Sequence, residues 1–106
     1  MGWREDARFG QVQVGEGTTI KKVVAYTPTL TPASVAAATV AEETFTVTGL
    51  TTDDIVVVNQ PAISNATGVA GARVSAANTL AIRFVNPTAG ALVPTSGVFT
   101  VLAFRK

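Results

Sequence analysis

Cysteine and histidine are both missing from the 106 residues. Without cysteine there is no disulfide, no thiolate metal ligand and no thiol nucleophile, so stability has to come from packing, chain pairing or assembly. Without histidine the chain lacks the side chain that most often moves a proton near neutral pH and most often ligates a metal, which removes most hydrolase designs. Charge is scarce too: Asp, Glu, Lys and Arg make up 14% of the chain, against about 25% in an average soluble domain. The basic residues exceed the acidic ones by one and are scattered, so no continuous basic face exists to bind nucleic acid or an anionic membrane. Long apolar runs are absent as well. Val98–Phe104 is a handful of residues interrupted by Thr100, far short of a membrane span. Arg4, Glu5 and Asp6 stand where an export signal needs an apolar run, and Asp6 departs from the acylation pattern that Gly2 would open.

What is abundant is Ala, Val and Thr, a composition that suits strands. The length predicts one compact body, with enough buried surface for a modest core. Residues 1–19 read as an N-terminal arm, because Gly10, Gly15 and Gly17 break any regular pattern. Residues 20–106 read as one β-sandwich domain.

Ile20–Tyr26 is β-rich, and Pro28 and Pro32 then exclude a helix through the next stretch. Ser34–Glu43 is ambiguous: Thr31 and Pro32 could open a helix with an Ala-rich body. Against that, Val35, Thr39 and Val40 are β-branched, and Thr44–Thr48 alternates strictly, so extended structure is expected. Gly49–Asp53 is a turn, and Asp54–Asn59 is a strand apolar on both faces, expected to be central. Val69–Ser75 and Thr79–Val85 flank Ala76-Ala77-Asn78 as a hairpin, with Leu80, Ile82 and Phe84 on one face. Val98–Phe104 closes the domain, with Phe99, Val101 and Ala103 opposite Thr100, Leu102 and Phe104. Six to seven short strands without a credible long helix predict an all-β, antiparallel β-sandwich, Ig-like or jelly-roll-like. The two strands that are apolar on both sides predict a second surface buried against the arm or a partner subunit.

No motif carries chemistry. Gly15-Glu16-Gly17 lacks the third glycine of a dinucleotide fingerprint. Asp53-Asp54 and Glu42-Glu43 are adjacent pairs that point to opposite faces of a strand and read as solvated turns. A calcium site at Asp53 or Asp54 would need several more oxygen ligands. Asn65-Ala66-Thr67 matches a glycosylation sequon but is explained by a loop. Lys21, Lys22, Arg73, Arg83 and Arg105 could line an anion strip, although outward basic residues usually serve solubility. The expectation is therefore a protein that is not an enzyme, with no catalytic residue, no metal and no cofactor. Partner binding is assigned to Trp3, Arg4, Arg8 and Phe9, large anchors and charges in an arm unable to fold alone.

The runs Thr44–Leu50, Asp54–Asn59 and Gly71–Asn86 together resemble the small structural proteins of tailed bacteriophages. In particular they resemble the β-sandwich modules of capsid decoration, or cement, proteins, over about residues 28–105. The resemblance implies a virion part on the capsid surface, assembled in the host cytoplasm. It also implies a homotrimer that binds the major capsid protein or another virion protein and holds the shell against internal pressure. A receptor- or carbohydrate-binding module of a tail or fibre is the competing reading. Such a module would display paired aromatic platforms, whereas this chain has one Trp and one Tyr.

Overall fold

The computed structural model describes residues 15–63 and 65–106, and these form strands, turns and loops but no helix. In chain order the strands are β1 (Lys22–Tyr26), β2 (Thr29–Leu30), β3 (Thr39–Thr46), β4 (Asp54–Asn59), β5 (Gly68–Ala76), β6 (Thr79–Asn86), β7 (Gly97–Val98) and β8 (Thr100–Arg105). They pair as β1-β8-β4, β3-β6-β5 and a two-stranded β2-β7 ribbon, antiparallel throughout. The final apolar run is split at Phe99, whose N–H turns to the Pro28 carbonyl at 2.9 Å. That split, together with the proline-limited β2, gives more strand segments than the six to seven expected.

Ser34–Glu43 is extended, not helical. Val35 bridges to Leu92, and Ala38 turns through φ 49° just before β3 begins. The β-branched Thr39 and Val40 then continue directly into the alternating stretch, which one long strand accommodates and a helix would not. The β5–β6 hairpin closes on Ala77 and Asn78, with Asn78 at φ 59°, a conformation Asn tolerates better than other side chains.

Leu80, Ile82 and Phe84 of β6, Val74 of β5, and Val101 and Ala103 of β8 share one buried cluster with Phe99, Leu30, Val35, Val47 and Leu50. The two three-stranded sheets thus turn their inner faces to a common core. Phe84 is the hinge of that packing, edge-on to Phe45 at a centroid distance of 6.5 Å and to Phe99 at 6.4 Å, the geometry the ring quadrupoles favour.

The expectation that Asp54–Asn59 is central is corrected. β8 is central in its sheet, and β4 lies at the edge. Buried side chains on both faces would have required neighbours on both faces; here one face of β4 is open.

At one end of the core Asn86 is fully buried. Its amide donates to Val35 O at 3.0 Å and Gly90 O at 2.8 Å. Its Oδ1 accepts Thr88 N–H at 3.0 Å and the Thr88 hydroxyl at 2.7 Å. A polar side chain at a core position is stabilising only when satisfied in this way.

Candidate functional site

Two ion pairs occur among the described residues, Arg105–Asp54 and Arg73–Glu42, and neither was legible from spacing. Asp54 opens β4 with its side chain only 1% exposed. Arg105 Nε donates to its Oδ1 at 2.8 Å, Arg105 Nη2 to its Oδ2 at 3.1 Å, and Thr51 N–H to Oδ2 at 3.0 Å. The Arg105 hydrogen bonds hold the Asp54 carboxyl below its ordinary pKa, with help from Thr51 N–H and the Arg105 and Lys22 charges, against the opposing effect of burial. Arg105 Nη2 also donates to Gly49 O at 2.9 Å, and Gly49 N–H donates to Asn78 Oδ1 at 2.8 Å. This network laces the end of the β1-β8-β4 sheet to the β5–β6 hairpin turn. Gly49, at φ 107°, leaves room for the Tyr26 hydroxyl, which a Cβ there would meet at 3.0 Å. Asp53-Asp54 is therefore not a solvated pair, because Asp54 is a buried anchor. Its oxygens are engaged by these donors, and no group of three or more His, Cys, Asp or Glu suited to a metal ion occurs among the described residues.

Glu42 and Glu43 are likewise corrected from turn to strand. Both lie in β3, and Glu43 accepts Ala33 N–H at 2.7 Å. Glu42 accepts Arg73 Nε at 3.1 Å and Nη2 at 2.9 Å. These hydrogen bonds, followed by the Arg73 and Arg83 charges, lower the Glu42 pKa despite some desolvation. The pair crosses the outer side of β6 beside Ala81, which is fully buried although it faces outward. The five basic residues read as an anion strip are thus split between two sheets, and Arg73 and Arg105 are already engaged.

Among the described residues, an apolar feature lies on the outer face of β1-β8-β4. With Val24, Tyr26, Val56, Val58, Val101 and Ala103 committed to the inner side, strand alternation puts the intervening residues of the same sheet outward. The register aligns Val23, Phe104 and Ile55 in one row and Ala25, Leu102 and Val57 in the next. Val23 is 52%, Ile55 51% and Val57 58% exposed, while Phe104 and Leu102 are half-buried. Together they form a contiguous apolar strip across the outer face of this sheet, a candidate surface for contact with another protein.

The sequon at Asn65 has a structural role. Its Oδ1 accepts Thr67 N–H at 3.0 Å, and its amide donates to Val93 O at 2.8 Å, the same Asn-x-Thr turn that Asn86 and Thr88 build. The partner-binding candidates Trp3, Arg4, Arg8 and Phe9 lie outside the described residues. Compared with known proteins, the chain matches no family model, and no curated protein or solved structure is significantly similar to it.

Proposed function

We propose that this chain is a non-enzymatic structural protein of a tailed-phage virion, a capsid decoration protein with an Ig-like or jelly-roll-like β-sandwich and an extended N-terminal arm. It assembles as a homotrimer and binds the major capsid protein. The observation that carries the reading is the outward face of β1-β8-β4, with Val23, Ala25, Ile55, Val57, Leu102 and Phe104 in register. Such a face is costly to leave in water, and its burial against a protein surface favours association.

Six strand residues are fewer than the roughly 20–30 per side of a stable interface. The rest would come from the rim and from Trp3, Arg4, Arg8 and Phe9 in the arm. The low charge of the chain suits this role, because interface cores are depleted in charged residues.

The test is co-sedimentation with empty shells of the phage that encodes the chain, together with the molecular mass in solution. Saturable binding to shells that Val57→Asp weakens at least tenfold is the expected result. A monomer indifferent to shells, wild type and variant alike, would overturn the proposal.

A further inference from the structure

The opposite sheet carries a different kind of opening. Arg83 stands on β6, the central strand of β3-β6-β5, directly between Glu42 on β3 and Gly71 on β5. A Glu and an Arg opposite one another across two strands ordinarily pair, yet both Glu42 oxygens are engaged by Arg73. Arg83 acts on Glu42 only as a nearby charge, and among the described residues its guanidinium has no hydrogen-bond acceptor. The three side chains carry two positive charges and one negative, so the cluster holds one uncompensated positive charge.

Gly71 sits inside a strand, where glycine is unfavourable. Its φ is not left-handed, and a Cβ added there would meet nothing within 4 Å. The register irregularity between Val69 and Gly71 does not require a missing side chain. Gly71 instead borders an open depression of about 210 Å³ lined also by Glu42, Ala72, Arg73 and Arg83. Interior strand glycines recur where another group comes close to the backbone.

We infer that this depression receives a carboxylate from an acidic side chain of a protein partner, held by the Arg83 guanidinium above Gly71. The planar fork of Arg matches the two oxygens of a carboxylate. A single uncompensated positive charge beside the Glu42 carboxylate suits a singly charged group better than a doubly charged phosphate. One ion pair at an open surface holds a free carboxylate only weakly, so the point acts as a register pin within a larger protein contact. It lies on the sheet facing away from the apolar docking face and does not depend on it.

The test is nuclear magnetic resonance of the Arg side-chain N–H groups in the full chain, titrated with sodium acetate and, separately, with a triglutamate peptide at constant ionic strength. Arg83 should shift saturably with both, in the millimolar range for acetate and at least tenfold lower for the peptide, while Arg105 stays still and Arg73, held by Glu42, shifts less than Arg83. Gly71→Val should weaken the response by narrowing the depression, and Arg83→Gln should cut peptide binding at least tenfold. If Gly71→Val disturbs the sheet, as its amide spectrum would reveal, Arg83→Gln alone decides the comparison. A linear response shared by Arg73, or peptide binding unchanged in Arg83→Gln, would overturn the inference. Micromolar affinity for acetate would overturn the protein partner in favour of a small free carboxylate.

Discussion

Replacing Asp54 with Ala removes three hydrogen-bonded contacts at once: two from Arg105 at 2.8 and 3.1 Å and one from Thr51 N–H at 3.0 Å. If the Arg105 charge were left fully buried, the loss would approach the roughly 3–5 kcal/mol seen for broken buried pairs. Its side chain is 26% exposed and it keeps Gly49 O as an acceptor, so water takes back part of its solvation. A loss of about 2–3 kcal/mol follows. For a domain of 106 residues that lowers the midpoint of thermal unfolding by about 10–20 °C. Circular dichroism melts of wild type, Asp54→Ala and Asp54→Asn at a series of pH values provide the assay, with Asp54→Asn falling between the other two. The Asp54 pKa is lowered on folding, so its contribution is complete above the unfolded value near 3.9 and is lost as pH falls through the lower folded value. The gap between wild type and Asp54→Ala should therefore be widest from about pH 5 to neutrality and shrink in stronger acid. A gap of the same size at neutral pH and well below the folded pKa would refute the ionic account and leave only lost packing.

Val57→Asp should leave thermal stability within about 0.5 kcal/mol, because the site is on the surface. It should weaken binding to shells at least tenfold, read by co-sedimentation, since about 1.5 kcal/mol of apolar burial is lost and an unpaired carboxylate enters the seam. Phe84→Ala, which empties the centre of the aromatic cluster, should cost about 3–5 kcal/mol in urea unfolding. The Thr51 hydroxyl is buried with no partner among the described residues, so Thr51→Val should be neutral or stabilising, measured by the same unfolding curves. Deleting residues 1–17 should leave a folded monomer by circular dichroism and weaken assembly in co-sedimentation; unchanged assembly would refute the role given to the arm.

The candidate docking face was legible because it is a matter of alternation. Asp54–Asn59 and Val98–Phe104 show apolar residues at consecutive positions, and a strand side chain must point to one face or the other. An apolar side in need of a partner therefore follows from the order of the residues alone. The Arg83 depression was not legible, since it depends on which of two arginines captures Glu42. That choice is fixed by a diagonal across β6 between residues 31 positions apart in the chain.

The sequence by itself determined that this chain is built from strands, where its turns fall, and which side of β6 faces the core. Side-chain periodicity and turn chemistry are local properties. It also determined what the chain lacks, because absent histidine and cysteine cannot be supplied by folding. Only the tertiary structure decided that β8 rather than β4 is central, that Asp54 is a buried anchor for Arg105 51 residues away, and that Asn86 is satisfied by Val35 and Gly90. These depend on strand order and on contacts between distant residues, which pairing across the whole chain sets and no short window of sequence contains.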